Sequence, residues 1–497
     1  MTAASRALVP CVLIVAVIVC PHSEAAPRTW TISGGEVADG SGGPLRRANV
    51  RIAGDRIVAV GDVKPEAGEM VVDAKGLVVA PGFIDIHNHS TNELTKDPAA
   101  ETQVAQGITT IVVGADGSSP WPIADYLAEL RQHPAALNVA VMVGHATIRR
   151  RVMGDDYKRP ARDDEIAKMA ALVEQGMREG AIGLSSGLEY EVGSYSETKE
   201  VVEMAKAAAR YGGFYMSHIR DEADKSFEAQ REAIAIGEQA KIPVQISHIK
   251  LGTAAVWHKA ATSIELIEKA RRSGVDITAD CYPYDAWHST LTVLVPNKRY
   301  DDPASVERAL ADVGGAANVT VDRMAAHPEY EFKTLEAIAR EKGITPVALF
   351  IEMVKEGGAS VIGKTMVEDD IRAFYEQPWV MVGSDGGIGL RHPRGAGTFP
   401  RVLGRYVREQ HWLSLTEAVR KMTLAPATRM MWKDRGRLEP GAAADIVVFD
   451  PKTVQDRSTF SDPTALPTGV EKVIVNGAFV WDGSKPSGER PGKTLPK

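Results

Sequence analysis

The chain has 497 residues, of which 44% are hydrophobic and 25% are charged, the composition of a large globular protein. A single small module is excluded, because one hydrophobic core stops growing well below this length. The 58 Lys and Arg residues against 65 Asp and Glu residues give a formal net charge of −7, so the chain lacks the basic excess of a nucleic-acid-binding protein. We therefore expect more than one structural unit and no nucleic-acid partner.

The first residues have the pattern of an export signal. An apolar run over residues 7–20 follows a basic residue, and small residues before position 26 offer a cleavage point. The run is shorter than the about 20 residues that a membrane span needs, which favours a signal peptide over residues 1–25 rather than an uncleaved anchor. Cys11 and Cys20 lie in this segment, so only Cys281 remains after cleavage. We expect an exported, periplasmic or secreted protein with no stable membrane span and no disulfide framework.

The two ends of the chain share one pattern. Residues 27–80 alternate apolar and polar positions in short runs broken by Gly and Asp, which is typical of antiparallel strands and hairpins. The same pattern returns in residues 433–497. We predict that both ends together build one small β-sandwich domain.

Between these ends, residues 81–432 repeat a short apolar strand, a Gly-rich or polar turn and a helix. The predicted strands are GFIDIHNH, TTIVVGAD, NVAVMVGH, AIGLSSGLEY, GFYMSH, PVQISH, DITADCYPY and WVMVGSD. Eight parallel strands close a barrel, so the predicted fold class is α/β with a (β/α)8 TIM-type barrel. Apolar spacing over residues 164–179 and 199–210 predicts helices of the outer ring. Residues from about 290 to 345 delay the eighth strand and are interpreted as an insertion.

Histidines and one acid stand where these strands end. His87 and His89 are two residues apart on one strand, so their side chains share a face. Such a pair alone is a weak signal and is equally typical of a surface. His218 and His248 each end a later strand, and Asp385 ends the last one. Barrel enzymes hold their active sites at this end, and buried imidazoles with a carboxylate favour a bound cation.

Several motifs carry a family resemblance. They are PGFIDIHNH, SSGLEYEVGSY, GGFYMSHIRDE, ISHIK, CYPY, VGSDGG, HPRGAGTFPRVLG and LEPGAAADIVVFDP, in this order over nearly the whole mature chain. The chain resembles the amidohydrolase superfamily and, within it, the N-acyl-D-amino-acid deacylase (D-aminoacylase) family. The resemblance implies a metal-dependent hydrolase that cleaves small N-acyl-D-amino acids to a carboxylate and a free D-amino acid.

The resemblance also implies a zinc centre of one or two ions. Its ligands would be His87, His89, Asp116, His218 and His248. In the family the bridging ligand after the second strand is a cysteine in a G-N-C-G turn, and here that position is Asp116. A carboxylate is a harder ligand than a thiolate, so manganese, cobalt or iron are possible occupants besides zinc. Asp116 as a plain turn residue and Glu189 as a rival bridging carboxylate are the alternatives, and Cys281 is interpreted as a buried structural cysteine.

The resemblance assigns general acid and base catalysis to Asp385, because a nearby carboxylate can accept a proton from activated water and pass it to the amine. A metal ligand and nothing more is the alternative. The residues implied for the substrate carboxylate or the tetrahedral intermediate are Lys250, Tyr282, Ser289 and Arg394. Arg394 can bind a carboxylate with two parallel bonds, and Tyr282 is a neutral donor suited to an oxyanion. The stretch YPYDAWHST is one residue longer than the family spacing, which could displace Ser289 and bring His288 into the pocket.

Two other functions remain open from the sequence. Asp116 and the altered pocket loops are compatible with a cyclic amide, a D-containing or β-aspartyl dipeptide, or a lactone as the substrate. A non-catalytic exported ligand-binding barrel is the second alternative, since fold does not guarantee function. His145 also ends a strand, and we expect it to orient a ligand rather than to bind metal. The sequence carries no signal for oligomeric state.

Overall fold

The computed structural model of the protein describes residues 29–497, so the predicted signal peptide with Cys11 and Cys20 lies outside the described residues. The strands are β1 (Thr29–Ser33), β2 (Glu36–Val37), β3 (Arg46–Arg47), β4 (Asn49–Ala53), β5 (Arg56–Gly61), β6 (Met70–Asp73), β7 (Val78–Pro81), β8 (Phe83–Asp85), β9 (Ile108–Val113), β10 (Asn138–Val141), β11 (Val143–Gly144), β12 (Gly183–Gly187), β13 (Phe214–His218), β14 (Val244–Ile246), β15 (Ile277–Cys281), β16 (Trp287–Thr290), β17 (Val319–Arg323), β18 (Ser360–Gly363), β19 (Val380–Val382), β20 (Ile446–Phe449), β21 (Val470–Val475) and β22 (Ala478–Trp481).

The helices surround these strands and connect them. They are α1 (Glu101–Val104), α2 (Ile123–Gln132), α3 (His145–Met153), α4 (Asp163–Arg178), α5 (Thr198–Arg210), α6 (Ser226–Ala240), α7 (Ala260–Arg272), α8 (Pro303–Asp312), α9 (Leu335–Lys342), α10 (Pro346–Lys355), α11 (Glu368–Tyr375), α12 (Arg394–Arg401), α13 (Leu415–Met422) and α14 (Leu424–Arg429). A π-helical stretch over Val402–Glu409 continues α12. Across residues 29–497, no helix combines the length and the apolar character that crossing a membrane requires.

Eight parallel strands form the barrel, as predicted. β10 and β11 are two halves of one strand, separated at Met142. Neighbouring strands pair in parallel, and their order around the barrel is β8, β9, β10–β11, β12, β13, β14, β15 and β19. The last strand meets the first at the barrel mouth, where Asp385 N donates to His87 O at 2.9 Å and His89 N donates to Gly386 O at 2.7 Å. These bonds bring the residues after β19 directly against those after β8.

Apolar side chains pack on both sides of the barrel strands, in the barrel interior and beneath the outer helices. Its interior contains a buried cluster that includes Ile84, Val112, Phe214, Met216 and Met381. The apolar stripes of the outer helices pack on the other side of the strands in a second cluster. The two helices predicted at 164–179 and 199–210 are α4 and α5, each within one residue of the prediction.

Both chain ends build the second domain, as predicted. One sheet has the strand order β5-β4-β1-β6, and the other has the order β22-β21-β20-β7-β2-β3, so N-terminal and C-terminal strands lie in one sheet. Trp30, Ile52, Val79 and Ile446 belong to one buried cluster to which both sheets contribute, which makes the domain a sandwich. The last residues depart from the predicted range 433–497, because Val139 N donates to Lys493 O at 2.9 Å and the tail lies on the barrel base.

The insertion is larger than the predicted range of 290–345. Its antiparallel sheet has the order β16-β18-β17 and runs from Trp287 to Gly363, with α8, α9 and α10 packed on it. It has its own hydrophobic cluster, which includes Leu310, Val321 and Phe350. The prediction stopped short because an amphipathic helix followed by an apolar strand gives the same pattern on a small sheet as on a barrel.

Candidate active site

Four buried side chains meet at the barrel mouth. His87, Asp116, His248 and Asp385 each offer one ligand atom, and these atoms all lie within 4.8 Å of one another. His87 Nε2 is 3.3 Å from Asp116 Oδ2 and 3.4 Å from Asp385 Oδ1, while His248 Nε2 is 3.7 Å from Asp116 Oδ2. We call this set the mouth group. Two imidazoles and two carboxylates at these distances can hold one divalent cation.

The backbone is strained at three members of the mouth group. Asp116, His248 and Asp385 have φ angles of 52°, 31° and 48°, a region that non-glycine residues rarely occupy. A Cβ on Gly114 would lie 2.7 Å from Met142 O, and one on Gly117 would lie 2.9 Å from Gly187 N. Neighbouring strands therefore force the turn that presents Asp116. Strain of this kind is typical of functional sites.

His89 lies at the rim of the mouth group. Its Nε2 is 3.0 Å from Asp385 Oδ1 and 3.5 Å from Asp116 Oδ2, and its side chain is 39% exposed. The rings of His87 and His89 are 5.2 Å apart, as expected for two side chains on one face. His89 is therefore close enough to bind the same cation from the solvent side.

A second group shares His248 with the mouth group. The ligand atoms of His218, Glu222 and His248 also lie within 4.8 Å of one another. His218 Nδ1 is 3.0 Å from His248 Nε2, and Glu222 Oε1 is 2.9 Å from His248 Nδ1. Glu189, the rival bridging carboxylate, has its Oε2 2.7 Å from His218 Nε2 and so contacts this second group.

Two acids in the site escaped the sequence prediction. Glu222 accepts two bonds from Lys250 Nζ at 2.8 and 2.7 Å, in addition to its contact with His248. Asp280 Oδ1 lies 3.2 Å from His87 Nδ1 and accepts a bond from His248 N at 2.8 Å, so it orients one ligand imidazole and holds the backbone of the other. Each had a sequence signal: Glu222 follows His218 by four residues, and Asp280 is an acid in a buried strand.

The groups around the two carboxylates of the mouth group stabilise them in their charged form. Burial disfavours the charged form of Asp116, but His87 and the other imidazoles outweigh burial and hold the pKa of Asp116 well below its usual value. Burial also opposes the charge on Asp385, and Arg394 with the imidazoles of His248, His87 and His89 lowers its pKa in the same way. The buried atoms His87 Nε2 and Asp116 Oδ1 have no hydrogen-bond partner, although buried polar atoms are nearly always paired. The donor set and these two atoms fit a divalent cation.

A cavity of about 600 Å³ opens beside the mouth group. Three of the predicted substrate residues, Lys250, Ser289 and Arg394, line it, and Ser289 belongs to β16 of the insertion. The insertion also contributes apolar side chains to the wall, among them Val293 and Leu294. The inserted domain therefore shapes part of the cavity wall.

The fourth predicted substrate residue, Tyr282, is buried, and its hydroxyl has no hydrogen-bond partner. Arg394 Cζ lies 4.8 Å from the centre of the Tyr282 ring, and Arg394 Nη1 lies 2.7 Å from Asp385 Oδ2. Lys250 is held by Glu222, as described above. His288 lines the cavity, but its Nε2 is 2.9 Å from Asp322 Oδ2 in the insertion. Arg394 and Tyr282 thus place a guanidinium and an unpartnered hydroxyl next to Asp385.

Comparison with known proteins places this geometry in a family. The family model described as "Amidohydrolase family" matches residues 70–481. The chain belongs to the amidohydrolase family. This amidohydrolase is 36% identical to D-aminoacylase of Alcaligenes xylosoxydans xylosoxydans over 95% of this chain and 99% of that protein. It is 37% identical to N-acyl-D-glutamate deacylase of the same organism over 93% of this chain and 96% of the relative.

A solved structure supports the same assignment. N-acyl-D-glutamate deacylase from Bordetella bronchiseptica, in complex with zinc and a phosphonate inhibitor that mimics the tetrahedral intermediate, matches with a TM-score of 0.86. Sequence identity is 33%, and the match covers 95% of this chain and 100% of that one. The family predicted from the motifs is confirmed.

Two further expectations concern residues around the site of this amidohydrolase. His145 Nε2 lies 2.8 Å from Glu200 Oε1, and Glu200 also binds Arg149. His145 therefore belongs to a buried cluster with Glu200 and Arg149, and it is Asp280 that orients a ligand imidazole. Cys281 is buried, donates to Tyr282 O at 3.5 Å, and has a pKa raised by burial. It has the features of a structural cysteine, as predicted.

Proposed function

We propose that this amidohydrolase cleaves the amide bond of N-acyl-D-amino acids to a carboxylate and a free D-amino acid, with a divalent metal such as zinc. The observation that carries the proposal is the buried Arg394, which lies 2.7 Å from Asp385 at the edge of the mouth group and beside the unpartnered hydroxyl of Tyr282. A carboxylate-binding group is thus next to a proton acceptor and a set of metal ligands. The relatives named D-aminoacylase and N-acyl-D-glutamate deacylase support the same substrate class.

The residues that would hold the metal are those of the mouth group, with His89 at the rim. His218 and Glu222 offer a second position that shares His248. When bound, a divalent cation at such a site supplies a water with a pKa near neutral and polarises a carbonyl oxygen. Asp280 fixes the ring of His87 and the backbone of His248 for this task.

Asp385 acts as the general base and then as the general acid. Its pKa is held well below the usual value, so it is ionised and able to accept a proton from the attacking water. Arg394 is its closest cationic partner. When a substrate carboxylate engages Arg394, Asp385 shares this cation, and its affinity for a proton rises as the reaction begins. The same carboxyl group then delivers the proton to the departing amine.

The remaining groups fix the substrate and its handedness. The guanidinium of Arg394 can bind the α-carboxylate with two parallel bonds, and the Tyr282 hydroxyl can donate to the oxyanion that develops at the amide carbonyl. With the carboxylate and the amide both held, only one enantiomer directs its side chain into the cavity that the insertion lines. This three-point attachment gives selectivity for one enantiomer, and the relatives named for D-substrates support the D-form.

We also propose that the protein is exported. The apolar run over residues 7–20, which lies outside the described residues, supports this proposal. Fractionation of the producing cells with N-terminal sequencing of the mature protein tests it. We expect the protein outside the cytoplasm, beginning near residue 26, and a cytoplasmic protein that retains residues 1–25 would contradict the proposal.

A substrate panel tests the activity. The mature protein, supplied in turn with zinc, cobalt and manganese, is mixed with N-acetyl-D-amino acids and their L-forms, and the released amine is measured. We expect amine from the D-forms only. Hydantoins, dihydropyrimidines and β-aspartyl dipeptides serve as controls for the other substrate classes. Failure to release amine from any D-substrate with any of the three metals would refute the proposal.

A further inference from the structure

A buried chain of polar side chains crosses the mouth beside the metal ligands. It begins at Asp85, the last residue of β8, whose carboxylate accepts bonds from Ser384 N at 2.8 Å and Ser384 Oγ at 2.5 Å. Ser384 directly precedes Asp385. The end of the first barrel strand therefore fixes the backbone that follows the last strand, one residue before Asp385.

The chain continues from Asp85 to the helix that carries Arg394. Asn88 Nδ2 donates to Asp85 Oδ2 at 2.8 Å and to Gln103 Oε1 at 2.9 Å. Gln103 Nε2 donates in turn to Gly395 O at 2.9 Å. Gly395 directly follows Arg394, and Asp85, Asn88 and Gln103 are all fully buried. The chain thus links the neighbour of Asp385 to the neighbour of Arg394.

Each amide in the chain has only one workable orientation. The carboxylate of Asp85 accepts bonds, so it takes the NH2 group of Asn88, whose Oδ1 accepts from Ser90 N at 3.0 Å. The same NH2 group requires the oxygen of Gln103 to face it, which turns the Gln103 NH2 group toward Gly395 O. The hydrogen bonds therefore have one fixed donor direction at each step from Asp85 to the start of α12.

The two ends of the chain also touch directly. A Cβ on Gly386 would lie 2.8 Å from Gly395 Cα and 3.1 Å from Arg394 O, so the turn after Asp385 packs against the start of α12 with no space to spare. Gln106 Nε2 makes a second bond to Gly395 O at 3.0 Å. Loss of the Gln103 bond is therefore expected to shift the start of α12 rather than to unfold it.

We propose that Gln103 is a positioning residue, which sets the place of the Arg394 guanidinium relative to Asp385 through its bond to Gly395. The proposal rests on the proposed function, because it takes Arg394 as the group that binds the substrate carboxylate. Gln103 contacts no member of the mouth group by hydrogen bond, so its effect should fall on carboxylate binding and leave the metal site intact.

The variant Gln103→Met tests the proposal, since it keeps the length of the side chain and removes the donor. We expect KM for N-acetyl-D-methionine to rise about tenfold with kcat within about threefold of the parent value, because a displaced anion-binding group weakens binding more than chemistry. The same substrate as its C-terminal amide has no carboxylate, so its kcat/KM should change much less than that of the acid. Metal content should equal that of the parent.

Asn138→Leu provides the matched control, because Asn138 is another fully buried amide but lies at the opposite end of the barrel. It should lower Tm and leave KM unchanged for both substrates. Equal losses on the acid and the amide, or an unchanged KM for the acid, would overturn the positioning role of Gln103. A parent protein that hydrolyses no N-acyl-D-amino acid would instead refute the proposed function.

A crystal structure of Gln103→Met tests the positioning role without any activity measurement. We expect the Arg394 guanidinium to move away from Asp385, lengthening the 2.7 Å contact. Arg394 and Gly395 in their parent positions would overturn the proposal, whatever the substrate proves to be.

Discussion

The two ends of the barrel both bury charged groups, and they treat them differently. At the base, Asp445 Oδ1 accepts from Asn476 N at 2.7 Å, and Asp445 Oδ2 binds Arg435 and accepts from Asn138 Nδ2 at 3.1 Å. Among the described residues, the side chains of this base cluster (Asn138, Arg435, Asp445 and Asn476) have no unpartnered buried atom. Its polar groups satisfy one another, which is the behaviour of a structural network.

At the mouth, by contrast, several buried atoms have no partner. They include His87 Nε2, Asp116 Oδ1, Tyr282 Oη and the Nε and Nη1 atoms of Arg394. These atoms belong to side chains that the sequence analysis assigned as metal ligands or substrate contacts. The difference indicates that donors and acceptors at the mouth are free to bind a ligand, as in barrel enzymes at this end. The polar groups of the base cluster bind one another instead.

The largest predicted effect is at Asp385. Asp385→Asn removes the proton acceptor at almost constant size, so kcat should fall about 1,000-fold, within the range for loss of a general acid and base. The fold should survive with a lower Tm, because the substitution leaves the buried Arg394 without its charged partner. Steady-state turnover of N-acetyl-D-methionine with equal metal loading measures the effect. Turnover within tenfold of the parent would contradict the assigned role.

Asp116→Ala should separate metal binding from folding. Removing this carboxylate should weaken metal affinity about 100-fold or more, beyond what loss of an outer-sphere partner causes, and activity should fall with it. Elemental analysis after dialysis measures the bound metal. A fully metallated Asp116→Ala protein would show that Asp116 is only a turn residue, which the sequence left as an alternative.

A substitution in the base cluster should lower stability and leave metal binding unchanged. Asp445→Ala leaves Arg435 buried without its carboxylate, which should lower the free energy of unfolding by about 3–5 kcal/mol. Bound metal per folded molecule and KM should stay at the parent values. Urea unfolding of the metal-loaded protein measures the change. An Asp445→Ala protein with unchanged stability and altered metal content would contradict the structural role of the base cluster.

The smallest effect is expected at Cys281. Its thiol is buried, and burial raises its pKa, so little of it is thiolate at neutral pH. A thiol reagent such as DTNB should react only after unfolding, and turnover of the treated native protein should equal that of the untreated one. Rapid labelling with loss of activity would indicate that a cysteine takes part in the site after all.

The strand ends could be predicted from sequence because a parallel barrel brings all of them to one mouth. An apolar run followed by His218, His248 or Asp385 therefore places a side chain at the mouth, although His145, which also follows an apolar strand, pairs with Glu200 instead. Glu222 and Asp280 could not be assigned roles this way, since their partners, Lys250 and His87, lie on other strands. The end of the insertion was missed for a related reason, because α10 and β18 have the local pattern of a barrel unit.

The C-terminal residues 492–495 also could not be placed from local sequence pattern. Residues 492–495 have no strand pattern, and their place on the barrel base depends on bonds such as Leu495 N to Val139 O at 2.8 Å. The β-sandwich, by contrast, could be predicted from local alternation alone, because strands at both chain ends present one apolar face each. Local pattern predicts elements, and contacts between distant elements decide where irregular segments lie.

The most direct test of the account is a metal titration of the metal-free mature protein. Zinc is added in steps, and the bound metal and the release of amine from N-acetyl-D-methionine and N-acetyl-L-methionine are measured together. We predict no turnover without metal, a rate on the D-form that rises with metal bound at the mouth, and no turnover of the L-form. Equal turnover of the D-form by the metal-free protein, or a metal-loaded protein without turnover, would contradict the central claim.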